Sequence, residues 1–291
     1  MDDLADRVSD YHAVDHQNHL GMNMRPKQTD VGGDVFSVVD EGKGPVLLLV
    51  HGFPLDHSMW SAQIAHFSST HRVIAPDLRG FGQSVVTPGT VTMKTMADDL
   101  ARILAKLGVL EPVVFCGLSM GGYVAWQFWK LHADKLRGMI LCDTKAATDS
   151  VEVARARELM ADSVERSGDT REIADNLGSR LFSPETVRHV PAIVEVTKKV
   201  IERTAPHAIA AAQRGMALRE DARPWLTRIN LPCLLLGGAD DVITPPDEMA
   251  GMAQALSNPR FVKIERAGHM APLEQPSATN RVLSLFLDEI V

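Results

Sequence analysis

The pentapeptide Gly117-Leu118-Ser119-Met120-Gly121 constrains this chain more than any other feature. It follows an apolar run, Pro112-Val113-Val114-Phe115-Cys116, and precedes a helical pattern over residues 122–131. Strand, sharp turn and helix in that order hold a serine in a strained backbone conformation, with its hydroxyl clear of the sheet. The flanking glycines permit a close approach of strand and helix that a side chain would block. A bare G-x-S-x-G is common, and the strand and helix around it are what give it weight. A hydroxyl presented in this way predicts acyl-transfer chemistry, which also needs a base, an acid and oxyanion donors.

The surrounding pattern is alternating. Residues 35–39, 46–50, 72–75, 112–116 and 137–142 read as strands, and 58–67, 93–107 and 122–131 as helices. Ser58 is a plausible N-cap for the first helix, with Trp60, Ile64 and Phe67 on one face. Met96, Leu100, Ile103, Leu104 and Leu107 recur at helical spacing in the second, which Gly108 ends. The strands are continuous apolar runs, as expected of a parallel sheet covered on both faces. After Asp143 the alternation stops. Residues 145–221 show helical periodicity only, with Leu159, Met160, Ile173, Leu177, Leu181, Phe182, Ile193, Val196 and Val200 as the apolar positions. Strand and helix then alternate again: 233–236, 246–256, 261–264 and 279–290. The expected organisation is a polar extension (1–28), the first part of an α/β core (29–144), an inserted helical cap (145–222) and the rest of the core (223–291).

Composition narrows the function classes. With a net charge of −7 and no long charged run, neither nucleic acid nor an anionic membrane is an expected partner. No apolar stretch is long enough to span a bilayer. The start, Met1-Asp2-Asp3-Leu4-Ala5-Asp6, has neither the basic region nor the apolar run of a secretory signal. The three cysteines, Cys116, Cys142 and Cys233, fit no metal spacing and read as buried reduced thiols, so a cytoplasmic location is expected. His12, His16 and His19 could meet on a metal, but no carboxylate or Cys completes a recognisable site, and a mobile extension is the simpler reading.

A serine hydroxyl is a poor nucleophile until a base takes its proton, and the usual base is a histidine oriented by a carboxylate. In open α/β sheets such groups gather at the C-terminal ends of strands. Two carboxylates follow the strand 233–236, namely Asp240 and Asp241, and position alone does not choose between them. Among eleven histidines, His269 is the one in a short loop after the last strand, and Gly268 lets that loop turn sharply. His51-Gly52-Phe53-Pro54 directly follows the strand 46–50. The backbone N–H groups of Phe53 and Met120 are the expected oxyanion donors, since Pro54 has none to offer. His51 should hold the loop and not titrate, and His57 reads as a surface or packing residue. Asp77-Leu78-Arg79-Gly80 reads mainly as a shaped turn, with Arg79 able to steer a substrate carboxylate.

Taken together, these segments resemble the α/β-hydrolase superfamily over residues 30–291. The resemblance rests on His51-Gly52-Phe53-Pro54, on the loop from Asp77 to Ser84, on the serine turn, on Gly238-Ala239-Asp240-Asp241-Val242-Ile243-Thr244-Pro245 and on Gly268-His269. The order Ser119, Asp241, His269 is the order this fold uses. Gly238 to Pro245 resembles the family's acid motif, and that assigns the triad carboxylate to Asp241. The resemblance implies a mostly parallel eight-stranded sheet with helices on both faces and a helical cap over the site. Within the superfamily the chain looks most like the capped carboxylesterase and enol-lactonase branch. The expected function is then hydrolysis of carboxylic esters through an acyl-enzyme on Ser119, with no metal or organic cofactor. Activity should fall in acid as the imidazole protonates. Hydrolysis of an enol-lactone of aromatic catabolism is the alternative, and it would need a pocket cation that the cap's arginines do not single out. Perhydrolysis is a possible side activity, and Ser119 argues against dehalogenase chemistry. A weakly catalytic hydrolase-fold receptor is the reading from another class. Phe53, Met120, Met216, Val242 and Met270 are candidates to line an acyl pocket for small to medium chains of an ester or lactone.

Overall fold

The computed structural model describes residues 26–178 and 180–290. The histidines of the N-terminal extension lie outside the described residues. Eight strands form one sheet: β1 (Lys27–Val31), β2 (Asp34–Glu41), β3 (Val46–Val50), β4 (Arg72–Pro76), β5 (Val113–Leu118), β6 (Leu136–Cys142), β7 (Cys233–Gly238) and β8 (Pro259–Ile264). Their order is β1-β2-β4-β3-β5-β6-β7-β8. Pairing is antiparallel for β1–β2 and β2–β4 and parallel from β4 to β8.

The register explains where a site can form. Val50 pairs with Gly117, Leu118 with Cys142, Cys142 with Leu236, and Gly238 with Ile264. The C-terminal ends of β3, β5, β6, β7 and β8 therefore reach one edge of the sheet together. Every loop singled out in the sequence leaves from that edge.

Strand alternation divides the core. Leu48, Val50, Ile74 and Phe115 face one apolar cluster, built with α2 (Met93–Lys106) and α3 (Met120–His132). Leu47, Leu49, Val73 and Ala75 face the other, built with α1 (Ser61–Phe67) and, at the chain's end, the helix Pro276–Ile290. Leu47 to Val50 and Leu234 to Leu236 are wholly buried, which is why these strands read as unbroken apolar runs.

Two local readings near the N-terminal end need correction. β1 falls partly in what looked like a polar extension. Only Thr29 and Val31 face inward, so the strand carries little apolar signal, and the Gly32-Gly33 turn at positive φ ties it back to β2. The helix at 58–67 starts as a 3₁₀ turn, His57–Trp60, and its cap is Asp56, whose carboxylate accepts from the Ser58 N–H at 3.0 Å. Ser58 is a partner of that cap.

The segment between β6 and β7 is helical. It contains α4 (Val151–Ser167), α5 (Arg171–Gly178), α6 (Pro184–His189), α7 (Pro191–Arg203) and α8 (Pro206–Ala217), then a 3₁₀ turn, Arg223–Arg228. α4 packs on α8, and α5 on α7. Leu159 and Val196 were expected inside but are 59% and 46% exposed. The buried stripe of α4 runs through Ala161 and Val164, and that of α7 through Ile193, Val194, Thr197, Val200 and Ile201. Leu159 and Val196 lie off those stripes, because one apolar residue cannot report on which side its helix turns. After β7 come α9 (Pro246–Ala255), the short α10 (Ala271–Glu274) and α11 (Pro276–Ile290).

Candidate active site

Ser119 sits between β5 and α3 with φ 52° and ψ −110°, a conformation that costs about 1–3 kcal/mol and persists only when its surroundings enforce it. They do. Its N–H donates to the Cys142 carbonyl at 2.9 Å, and its carbonyl accepts from Gly122 N, Tyr123 N and the Thr144 hydroxyl. A Cβ on Gly121 would lie 2.3 Å from the Val50 oxygen, and one on Gly117 2.5 Å from the Gly121 backbone. Both glycines are thus required by the close approach of α3 to the sheet.

Asp241 and His269 are brought together. His269 Nδ1 lies 2.7 Å from Asp241 Oδ2, and both side chains are buried. The other carboxylate oxygen accepts from Ile243 N at 2.7 Å and Thr244 N at 3.0 Å. Donation from Nδ1–H to the carboxylate fixes the imidazole tautomer and leaves Nε2 for a second partner. Asp240 is exposed, and its backbone N–H is spent on the Ala267 carbonyl.

The loop after β3 packs onto the serine turn. A Cβ on Gly52 would meet Leu118 Cδ2 at 2.7 Å and Ser119 Cβ at 3.5 Å. The Phe53–Pro54 bond is cis. The N–H groups of Phe53 and of Met120, the first residue of α3, have no acceptor among the described residues. Free donors beside the serine could receive negative charge developing on a carbonyl oxygen. His51 holds this loop: its Nδ1–H donates to the Gly52 carbonyl at 2.9 Å, and its Nε2 accepts from Leu78 N at 2.9 Å. Burial pushes its pKa down, so the ring stays neutral.

The candidate pocket residues divide. Met120, Met216 and Met270 are buried, and Phe53 is half-buried against both apolar clusters. Val242 is 67% exposed. The turn that aims Ile243 N and Thr244 N at the Asp241 carboxylate carries the intervening Val242 side chain outward. Concavity alone points elsewhere: a groove of about 570 Å³ beside α9 is lined by Ala146, Leu226, Pro245, Glu248 and Met252 and includes none of the candidate residues.

Other charged residues are structural. Arg79 makes a paired bond to Asp99, at 2.7 Å on both arms, and another to Asp34. It is 8% exposed and has nothing left to steer a substrate. His57, expected as a surface or packing residue, has its ring against Asp77 at 2.6 Å, and that carboxylate outweighs burial and raises the imidazole's pKa. Asp56, His57 and Asp77 are close enough to share a metal ion. Their ligand atoms already serve Ser58, Arg203 and Gln83, which makes the trio a loop clamp.

Two buried carboxylates were missed in the sequence reading. Glu274 Oε1 accepts from Gly268 N at 2.7 Å and Met270 N at 3.3 Å, on either side of His269, while Oε2 accepts from Ser183 N at 2.8 Å. Burial pushes its pKa up. Asp143, at φ 45°, accepts from Gly238 N at 2.7 Å and so ties β6 to the end of β7 that launches Asp241. Burial and the nearby Asp241 charge push its pKa well up. A carboxylate just past a strand end was the available clue for Asp143; Glu274 offered only its nearness to His269.

Comparison with known proteins places this geometry. A thermophilic esterase from Thermogutta terrifontis, solved with malate bound, superposes with a TM-score of 0.87 at 42% identity, over 91% of this chain and 98% of that one. The enol-lactonase from Burkholderia xenovorans superposes with a TM-score of 0.83 at 27% identity, over 90% and 100%. 3-Oxoadipate enol-lactonase 2 of Acinetobacter baylyi is 28% identical over 249 residues, 85% of this chain and 90% of that one. The pattern of the alpha/beta hydrolase family matches residues 47–282. The chain therefore belongs to the alpha/beta hydrolase family and is a hydrolase.

Proposed function

We propose that this chain hydrolyses carboxylic esters of small to medium acyl chain through a Ser119–His269–Asp241 triad. Ser119 Oγ attacks the ester carbonyl as His269 Nε2 takes its proton. The N–H groups of Phe53 and Met120 receive the oxyanion. His269 then gives the proton to the leaving alcohol, leaving the acyl group on Ser119. Water, deprotonated by the same imidazole, releases the acid and restores the serine. Asp241 keeps the ring in the right tautomer and stabilises its cation. The steps call only on protein groups and water.

The observation that carries this reading is the Asp241–His269 pair at 2.7 Å, at the sheet edge that also presents Ser119. An imidazole locked through Nδ1 has only Nε2 left to work with. Residues 145–222 would serve as a cap. Thr204 donates to the Pro54 carbonyl at 3.4 Å, and Ser183 N shares Glu274 with the His269 loop. The helical segment thus rests on the oxyanion loop and on the base loop at once, which supports a closed acyl pocket. Buried reduced cysteines are in keeping with a cytoplasmic setting. Lactone hydrolysis is the second reading. The enol-lactonases among the relatives favour it, and the same triad would open a cyclic ester.

The test is steady-state hydrolysis of p-nitrophenyl acetate, butyrate and octanoate beside Ser119→Ala. The expected result is wild-type turnover, greatest on the shorter esters, and a loss of roughly 10⁴-fold or more in the variant. Equal rates in both proteins would exclude Ser119 as nucleophile. Faster turnover on octanoate than on butyrate would overturn the capped-pocket reading.

A further inference from the structure

The end of β6 is a strap that touches both the serine turn and the strand that launches Asp241. The Cys142 carbonyl accepts the Ser119 N–H at 2.9 Å, and the Thr144 hydroxyl donates to the Ser119 carbonyl at 2.8 Å. Between them Asp143 reaches the other way. Its N–H donates to the Leu236 carbonyl at 2.9 Å, and its Oδ1 accepts from Gly238 N at 2.7 Å. The Gly238 carbonyl in turn accepts from Asp241 N at 3.3 Å, and a Cβ on Gly238 would collide with the Gly268 carbonyl beside His269. Asp143 thus braces the short backbone stretch on which the acid turn begins and the base loop leans.

Its backbone is left-handed, with φ 45°. Glycine would adopt that conformation without strain. What glycine lacks is the oxygen that meets Gly238 N. The residue is wholly buried, and its second oxygen, Oδ2, has no hydrogen-bond partner among the described residues.

A buried carboxylate that keeps its charge is answered by cations. Asp149 of the helical insertion has three: Arg157 on α4, Arg219 after α8 and Lys145 after β6. Asp143 has no ion pair among the described residues. The titratable groups that act on it are Asp241 on the turn after β7, Glu274 on α10 and Cys142 on its own strand, and none is a cation. Asp241 is itself paired with His269. Half of an anion cannot be left in a dry place without a donor, whereas an acid hydroxyl can be left there at far lower cost.

We propose that Asp143 is a positioning residue for hydrolysis and that it works as an uncharged carboxylic acid, holding the end of β7 so that Asp241 meets His269 Nδ1. It acts through Gly238. This rests on the Ser119–His269–Asp241 reading above. An uncharged acid suits the place because its carbonyl oxygen accepts the backbone N–H while adding no second charge beside Asp241. Asp241 then remains the anion that stabilises the imidazolium.

Kinetics, proton resonances and infrared spectra of the full chain test this. Asp143→Gly keeps the left-handed backbone and removes the oxygen. It should lower kcat on p-nitrophenyl butyrate about 10-fold or more with KM little changed, since a misplaced catalytic group is felt in the chemical step. Asp143→Asn keeps an accepting oxygen and should recover most of that loss. Equal losses in the two variants, or a rise in KM with kcat intact, would overturn the positioning role. The downfield resonance of His269 Nδ1–H should weaken in Asp143→Gly and return in Asp143→Asn. That signal needs no turnover: if it behaves so without Ser119-dependent hydrolysis, the brace stands and the ester reading falls. If it is unmoved in Asp143→Gly, the brace falls whatever the turnover. The infrared difference between wild type and Asp143→Asn at neutral pH should contain the carbonyl stretch of one protonated carboxyl. A carboxylate band in its place would overturn the uncharged form, and this arm stands even where Asp143→Gly does not fold.

Discussion

Two buried carboxylates, Asp241 in the α/β core and Asp149 in the helical insertion, meet their needs in opposite ways. Asp241 is answered by two backbone N–H groups and one imidazole, all on neighbouring loops of the same sheet edge. Asp149 is answered by three long side chains from separate segments, which together outnumber its charge. The first arrangement is fixed by backbone and has little freedom to relax. The second depends on long side chains that the backbone does not fix. The first kind suits a site whose groups must keep fixed distances, and the second suits a segment that packs through its side chains.

The sharpest way to break the comparison is at the rigid end. Asp241→Asn should lower kcat by roughly 10⁴-fold, because an amide that offers its NH₂ to Nδ1 would hold the wrong tautomer. Asp240→Asn should change kcat less than about threefold, since Asp240 faces solvent. Parallel kinetics on one p-nitrophenyl ester decide it. Equal losses in the two variants would remove the special role of Asp241.

Legibility in the sequence follows the same division. The serine turn, the loop at Gly52 and the loops that carry Asp241 and His269 were readable as local patterns that backbone geometry imposes, while the resemblance, and not position, chose Asp241 over Asp240. Gly121 must be glycine whatever else the chain contains, since its Cα faces the Val50 carbonyl. The parallel sheet was readable from unbroken runs such as Leu47-Leu48-Leu49-Val50. β1 was not, because two inward residues out of five give no run. The partners of Arg79 and His57, Asp99 and Asp77, were not readable, because each lies 20 positions away. Asp149, Arg157 and Arg219 were invisible as a group for the same reason: nothing in a helical period says which charged face will meet which.

Glu274 joins the two regions, and it offers a test of intermediate size. One of its oxygens serves both neighbours of His269, and the other serves Ser183 of the insertion. In Glu274→Gln one oxygen becomes an NH₂ facing an N–H donor, so one side of the joint is lost. A stability loss of about 1–3 kcal/mol is expected from an unsatisfied buried group. If the joint positions His269, kcat should also fall about 10-fold or more while KM changes little, because misplacement of a base by under an ångström is felt in the chemical step. A loss of stability with kcat intact would make Glu274 a packing residue only.

The smallest effect belongs to the insertion, and it is read in acid. Hydrogen bonds from Arg219 and Arg157 overcome the burial of Asp149 and hold its pKa down to about 2, against 3.8 for a free aspartate. A carboxyl with a depressed folded-state pKa contributes stability that is fully present above its unfolded value and is lost as pH falls through the folded one. The stability of the wild type should therefore drop by about 1–2 kcal/mol from this group between pH 4 and pH 2, discounted for the solvent that reaches Arg157 and Lys145. Asp149→Asn cannot lose a charge it does not have, so its denaturation curves should be flatter over that window than those of the wild type. If the cations grip Asp149 as closely as the distances say, the two proteins should converge in stability as the pH reaches 2. Parallel curves would mean that the three cations are held apart by packing and that the carboxylate between them contributes little. The insertion would then be rigid as well, and the contrast with the Asp241 edge would no longer hold.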